Sequence, residues 1–208
     1  MNNNILAIDC CLKLTGVALM TGDKLFLLQK DLGRRQSGEL PKMTEKILND
    51  NKISWDDINF IALTNGPGYF TGIRVGAAYA SGLAYAVGAK IIPVSTLEML
   101  AYSYKSKSEK ILTLIYAGHG FVYAQAKNYL QQGEYSHEFI KNWLNENPDA
   151  EIISDDPEKI NMDDINIIEV KPDLISLCGL AKNNLDRAVS PMELKISYLK
   201  LPQGYVNN

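Results

Sequence analysis

From Tyr69 to Ala89 the chain reads YFTGIRVGAAYASGLAYAVGA, twenty-one residues with a single charge, Arg74. A helix on the surface of a soluble protein carries a polar face, and this segment has none after Arg74. The uncharged run from Val75 to Ala89 falls short of the roughly 18 residues that suggest a membrane span, and its glycines weaken it further. The segment must therefore be covered by protein. Two coverings are open: the chain's own second layer, as for a core helix, or another subunit, since a contiguous apolar patch marks an interface. At 100° per residue Val75, Tyr79, Leu83 and Ala86 form a bulky stripe suited to packing on a sheet. Gly72, Gly76, Ala80, Ala84 and Gly88 recur at every fourth position as a ridge that a second helix can approach closely.

The flanking pattern sets the fold class. NILAID reads as a buried strand ending on a carboxylate, and GVALM, the turn TGDK and LFLLQKDL make two further strands. GELPKMTEKILND follows as an amphipathic helix with Leu40, Met43, Ile47 and Leu48 on one face and Pro41 at a first helical position. NFIALT is a strand that runs into the Gly66/Gly68 loop and the long apolar helix. AKIIPV is the next strand, and STLEMLAYSY opens a helix with Ser95 and Glu98 as a capping box. After the polar KSKSEK come strands ILTLIYA and FVYAQAK, a helix near HEFIKNWLNEN, short strands EIIS and INIIEV, and a helix from Pro172 to Arg187. Strands alternating with helices after an antiparallel start indicate an α/β fold with mixed sheets. No internal repeat is legible.

Composition narrows the function. The 208 residues suit one larger domain or two small lobes. Net charge is −3, and the arginines are only Arg34, Arg35, Arg74 and Arg187. Without a dense basic stripe the chain lacks the footprint of an autonomous nucleic-acid binder. MNNNILAIDCC has no basic region before an apolar run, so no signal peptide is expected. Cys10 and Cys11 are adjacent and Cys178 stands alone, which suits a reducing cytoplasm.

The chemical motifs are sparse. GPGYFTG is followed by no Lys-Ser/Thr, so it is not a P-loop, and Thr71 stands where a dinucleotide fingerprint needs its third glycine. Gly66 and Gly68 either present backbone N–H groups to an anion at a helix N-terminus or make a tight strand-to-helix turn. Asp9 at a strand end either holds a metal–phosphate or serves as a turn residue. His119 and His137 have no metal-ligand spacing, and no GxSxG or HExxH is present. Asp155–Asp156 and Asp163–Asp164 read as solvated loop charges.

ILAIDCC…TGVALM, SGELPKMTEKIL, NGPGYFTGIRVGAAYASGLA, PVSTLEMLA and the terminal SYLK together resemble the TsaB (YeaZ) family of bacterial accessory subunits. The likeness is strong over Ile5–Ala101 and thin beyond, apart from the tail. It implies the two-lobed fold of the actin-like ATPase and sugar kinase superfamily (ribonuclease H-like). The expected division is residues 1–104 plus 190–208 as one lobe and 105–189 as a smaller, more divergent one. It also implies a non-catalytic, cytoplasmic subunit of the complex that transfers a threonylcarbamoyl group to N6 of the adenosine next to the anticodon in tRNA. The partners would be a TsaD homologue and a TsaE homologue, with a homodimer when TsaD is absent, tRNA met only through the complex, and no membrane.

On this resemblance the interface comprises Leu40, Met43, Ile47, Phe70, Gly72, Ile73, Val75, Gly76, Tyr79, Ala80 and Leu83. Gly76→Arg or Ala80→Glu would then break the complex while leaving the fold. No cofactor is expected to bind this chain firmly alone; ATP or ADP at the subunit boundary is the candidate, with Asp9, Gly66 and Gly68 as the residues it would touch. TsaD-like relatives carry a His-x-x-x-His metal pair in the segment aligned with Thr96–Leu100, where this chain has neither ligand. It also has Cys10 and Cys11 for hydroxyl residues, Tyr69 for Ser in the glycine loop, and YAGHGFVY for DARRGEVY. The alternative readings are an actin-like ATPase or small-molecule kinase using Asp9 and Gly66–Gly68, and a metal-dependent, glycoprotease-like enzyme.

Overall fold

The computed structural model describes residues 3–199, so Lys200 of the SYLK tail and the rest of the range 200–208 lie outside the described residues. Alternation in the first apolar run dictates the layers. In β1 (Ile5–Asp9), Ile5 and Ala7 face one core while Leu6 and Ile8 face another, as a strand buried on both sides requires. Strands β2 (Leu14–Thr21) and β3 (Lys24–Asp31) pair antiparallel beside it. On its other side β4 (Phe60–Thr64) and β5 (Lys90–Val94) run parallel, giving the order β3-β2-β1-β4-β5.

The second sheet repeats this plan. β6 (Ile111–Gly118), β7 (Phe121–Ala126) and β8 (Leu130–Ser136) form an antiparallel meander. β9 (Glu151–Ser154) and β10 (Ile168–Glu169) then run parallel to β6, and the order is β10-β9-β6-β7-β8. Read outward from β1 and from β6, strand order and direction are the same. Sequence periodicity misses this repeat because the two halves share a path without sharing residues; β8, with its polar LQQGEYS, is missed outright.

Helices follow the same scheme. α1 (Gln36–Asp50) and α4 (His137–Glu146) occupy equivalent connections, as do α2 (Phe70–Val87) and the four-residue α5 (Pro157–Ile160). The third helices cross over: α3 (Thr96–Ser103) packs on β6, β7 and β9, and α6 (Leu174–Asn183) packs on β1, β2, β4 and β5. The two form a middle layer, and one continuous apolar core joins residues as distant as Ile5, Leu100, Ile153 and Leu177. A boundary at residues 104/105 parts the two sheets, and across it α3 and α6 each bury an apolar face on the other lobe's sheet.

Two local expectations also change. Helix α1 starts at Gln36, placing Pro41 inside it on the solvent side, where one backbone bond is lost. Ser95 caps nothing; its hydroxyl donates to Gln132 Oε1 at 2.5 Å.

The largest correction concerns α2. Its inward face is the small ridge: Gly72, Gly76, Ala80 and Ala84, with Ile73 and Ala77, pack on the chain's own sheet. A Cβ at Gly72 would overlap the Cys10 carbonyl oxygen, and one at Gly76 would lie 3.3 Å from Cys10 Cβ. The bulky residues Val75, Tyr79 and Leu83 stay half-buried, Tyr79 and Leu83 in a groove beside Pro41 of α1, and Ala86 is exposed. Gly88 caps the helix in the left-handed conformation, φ 70°. Leu40, Met43 and Ile47 of α1 are likewise sealed inward, at 0%, 4% and 2% exposure. Gly76→Arg and Ala80→Glu would strike this core rather than an outer surface.

Two glycines of one helix test the arrangement. Gly72→Ala is expected to destabilise by about 1–3 kcal/mol, because backbone must move. Gly82→Ala, with open space around it, should stabilise by about 0.5–1 kcal/mol through helix propensity. Urea unfolding midpoints of the two variants read the difference.

Candidate functional site

The end of β1 and the glycine loop after β4 meet over a short stretch of backbone. Asp9 has no exposed surface; its Oδ1 accepts from Thr64 Oγ1 at 2.6 Å and from the Cys11 amide at 3.0 Å. Its Oδ2 is buried without a partner. Burial raises the Asp9 pKa, and those two hydrogen bonds only partly oppose it. The Cys11 thiol donates to the Thr64 carbonyl at 3.2 Å, and burial, with Asp9 beside it, pushes its pKa up to about 12.

The two loop glycines face backbone on either side. A Cβ at Gly68 would overlap the Cys11 carbonyl, and one at Gly66 (φ 105°) would sit 2.8 Å from the Ser197 carbonyl. The Tyr69 amide, at the head of α2, donates to the Cys11 carbonyl at 2.7 Å. In this geometry Asp9, Gly66 and Gly68 are packed by Cys11, Thr64 and Ser197, so the expected nucleotide contacts do not form an open cradle: the glycines permit close backbone approach. Thr96 and Leu100 are fully buried in α3. His119 sits in the exposed β6–β7 turn at φ 45°, and His137 opens α4; the fold does not bring them together. Among the described residues, no three His, Cys, Asp or Glu side chains form a group able to hold a metal ion.

What remains open to solvent is the outer face of α2. Ala78, Gly82 and Ala86, one turn apart, form a flat exposed strip with Arg74 as the only charge along the helix. Tyr85 beside it is 77% exposed and Phe70 at its head 55%. One wall is a mostly apolar groove of about 640 Å³ toward α1 and the turn Trp55–Asp57, lined by Pro41, Trp55, Tyr79, Leu83 and Val87 with the strip itself and with Asp56 as its one charged residue. On the other side the chain's last described residues return along α2 through the turn Pro191–Glu193, where Met192 is 86% exposed. Tyr198 packs at 5.7 Å from the Phe70 ring and accepts a hydrogen bond from Arg74 Nε at 2.9 Å, while the Arg74 guanidinium lies 3.7 Å over Phe70.

Of the residues expected at an interface, Phe70, Val75, Tyr79 and Leu83 reach this outer surface. Leu40, Met43, Ile47, Gly72, Ile73, Gly76 and Ala80 do not. Sequence reasoning passed over Trp55, Ala78, Gly82, Tyr85 and Met192. The signal was available for two of them: Ala78 and Gly82 recur with Ala86 at every fourth position, and this second small ridge is the outward one.

The lobes meet beside the head of α2. Leu12, Tyr69, Ile115, Tyr116, Asp155 and Lys159 enclose about 10 Å³ of free space. Lys159 Nζ donates to the Tyr69 hydroxyl at 2.6 Å and pairs with Asp156 at 3.0 Å. Asp155 is no solvated loop charge: burial, then Asp156 and Asp9, push its pKa up to about 6 against Lys159 and a backbone hydrogen bond. Asp156 caps α5 by accepting from the Lys159 amide.

Comparison with known proteins agrees with this architecture. The model of the family TsaD, tRNA N6-adenosine threonylcarbamoyltransferase, matches residues 30–189. The tRNA threonylcarbamoyladenosine biosynthesis protein TsaB of Buchnera aphidicola subsp. Acyrthosiphon pisum is 28% identical over 189 residues, 85% of each chain. The protein of the same description from Escherichia coli K12 is 35% identical over 121 residues, 57% of this chain and 52% of that one. A crystal structure from Pseudomonas aeruginosa, described as similar to peptidase YEAZ, superposes with a TM-score of 0.78 at 22% identity, over 95% of this chain and 100% of that one.

The raised Asp155 pKa has a stability consequence. Between about pH 4 and 6 the folded chain holds this proton and the unfolded chain does not, so Asp155 lowers stability as pH rises through that window. Asp155→Asn should remove a slope of about 1–2 kcal/mol across it. Urea midpoints measured on both sides of the window, wild type against variant, check this.

Proposed function

We propose that this chain, which belongs to the tRNA N6-adenosine threonylcarbamoyltransferase (TsaD) family in its TsaB (YeaZ) branch, serves threonylcarbamoyladenosine synthesis in tRNA as a non-catalytic subunit. It docks on a TsaD homologue through the outer face of α2 and holds that partner in its active form. The observation that carries this reading is the uncovered strip Ala78–Gly82–Ala86 with Tyr85 beside it. An exposed helix face of alanine and glycine gains nothing from water and lets a partner helix approach closely. Tyr79, Leu83 and Trp55 then offer the anchoring side chains beside it, and aromatic anchors in a groove dominate interface energetics.

A non-catalytic role fits the positions aligned with the metal pair of TsaD-like relatives, where Thr96 and Leu100 are buried non-ligands. Asp9 has no exposed surface, so nucleotide, ATP or ADP, belongs at the subunit boundary rather than at Asp9. In the absence of the TsaD homologue the same face pairs with a second copy. A TsaE homologue and tRNA join through the assembled complex, in the cytoplasm; no helix among the described residues is long and apolar enough to cross a membrane.

Gly82→Arg provides the test, since a side chain there meets open space and the fold should persist. Wedging a long charged side chain into the seam, even with Asp56 in the same groove, should weaken the complex at least about ten-fold. Co-expression with the TsaD homologue, size-exclusion chromatography and a modified-nucleoside assay read the outcome. Co-elution of the variant at wild-type yield, with normal modification, would sink the docking reading.

A further inference from the structure

Helix α2 lacks the device that usually fixes a helix start. Its N-cap, Tyr69, makes no side-chain capping bond, and no acidic residue lies in the first turn. The β4–α2 loop is only Asn65–Tyr69. Yet the first turn carries Phe70 and Arg74, which open the exposed face. Something outside the helix must hold it.

Two contacts do so from opposite sides. Tyr198 of the returning C-terminal stretch accepts from Arg74, in the same lobe. From the other lobe, Lys159 reaches the Tyr69 hydroxyl at 2.6 Å, with its ammonium 5.2 Å from the Tyr69 ring centre. Lys159, on the short turn α5, thus meets Tyr69 at the head of α2 across the cleft. A positive charge at the N-terminus of a long helix is disfavoured by the helix dipole. Asp156, at 3.0 Å from Lys159 and at the cap of α5, offsets that charge. The cation is therefore held by Asp156 and aimed at Tyr69.

We infer that Lys159 is a positioning residue of the second lobe, which acts through the Tyr69 hydroxyl to fix the first turn of α2 and so the head of the partner-binding face. The contact is a latch between lobes. With it closed, the Tyr69 side chain, 39% exposed, is tethered across the mouth of the cleft; with it broken, the helix head keeps the Tyr69 amide–Cys11 bond, the Gly72–Cys10 approach, buried Ile73 and the Arg74–Tyr198 bond, but no tie to the second lobe. Its bearing on docking rests on the function proposed above, while its effect on the helix head does not.

Hydrogen exchange on the isolated chain separates the two. Lys159→Met and Tyr69→Phe should each speed exchange of the Tyr69, Ile73 and Arg74 amides about three- to ten-fold. The double variant should add nothing beyond either single change, Lys159→Arg should restore protection, and amides in the second half of α2 should stay at wild-type rates. Lys159→Met should also lower affinity for the TsaD homologue about three- to ten-fold. Wild-type exchange at the helix head in Lys159→Met overturns the inference, as does faster exchange with unchanged affinity. Failure of the wild-type chain to bind the homologue would remove the docking reading instead, and the exchange rates would still decide the latch.

Discussion

The close approach of α2 to the turn that follows β1 governs most of what surrounds it. Gly72 lies against the Cys10 carbonyl and Gly68 against that of Cys11, and the Tyr69 amide donates to the same Cys11 carbonyl. A helix that begins so close to a strand end has little room for side chains where it meets the turn. Hence glycine stands at 72 and 76 and alanine at 77, 80 and 84, with Ile73 the one large side chain of the inner face, turned into the neighbouring core. Dense packing makes such positions intolerant of a single added carbon.

That approach also engages polar groups of the glycine loop at the helix head. The backbone donor of Tyr69 that an anion would need is already bonded, and Asp9 is capped by Thr64 and Cys11. The ring of Tyr69, in place of a small hydroxyl residue, occupies the entrance between the lobes, where Lys159 secures it. At the strand end the polar groups are enclosed by packing, and the exposed apolar surface lies on the opposite face of α2.

The two lobes share a strand plan yet differ where α2 and α5 correspond. One is an 18-residue apolar helix, the other a single turn of four residues. Only the first has the length to present a seam to another protein, at about 1.5 Å per residue. The exchange of α3 and α6 between sheets ties the lobes through one shared core, which α2 joins at Ile73 while its remaining buried residues pack in the first lobe's outer core.

Much of this is written locally and can be read from the sequence. The period-two and period-3.6 patterns locate β1 to β5, α1 and α2, and the run from Val75 to Ala89 without charge states that α2 needs nearly complete cover. The GPGYFTG segment and its neighbours carry the family. What the residues could not reveal is direction. α2 has two small ridges of equal spacing, Gly72–Gly76–Ala80–Ala84 and Ala78–Gly82–Ala86, and helical periodicity is indifferent to which meets the sheet. The choice is made by the Cys10–Cys11 backbone, a contact across some sixty residues of chain that leaves no local trace. The repeated strand plan, the crossing of α3 and α6, and the meeting of Lys159 with Tyr69 are likewise properties of the folded path, since each joins segments whose separate sequences are unremarkable until tertiary packing brings them into contact.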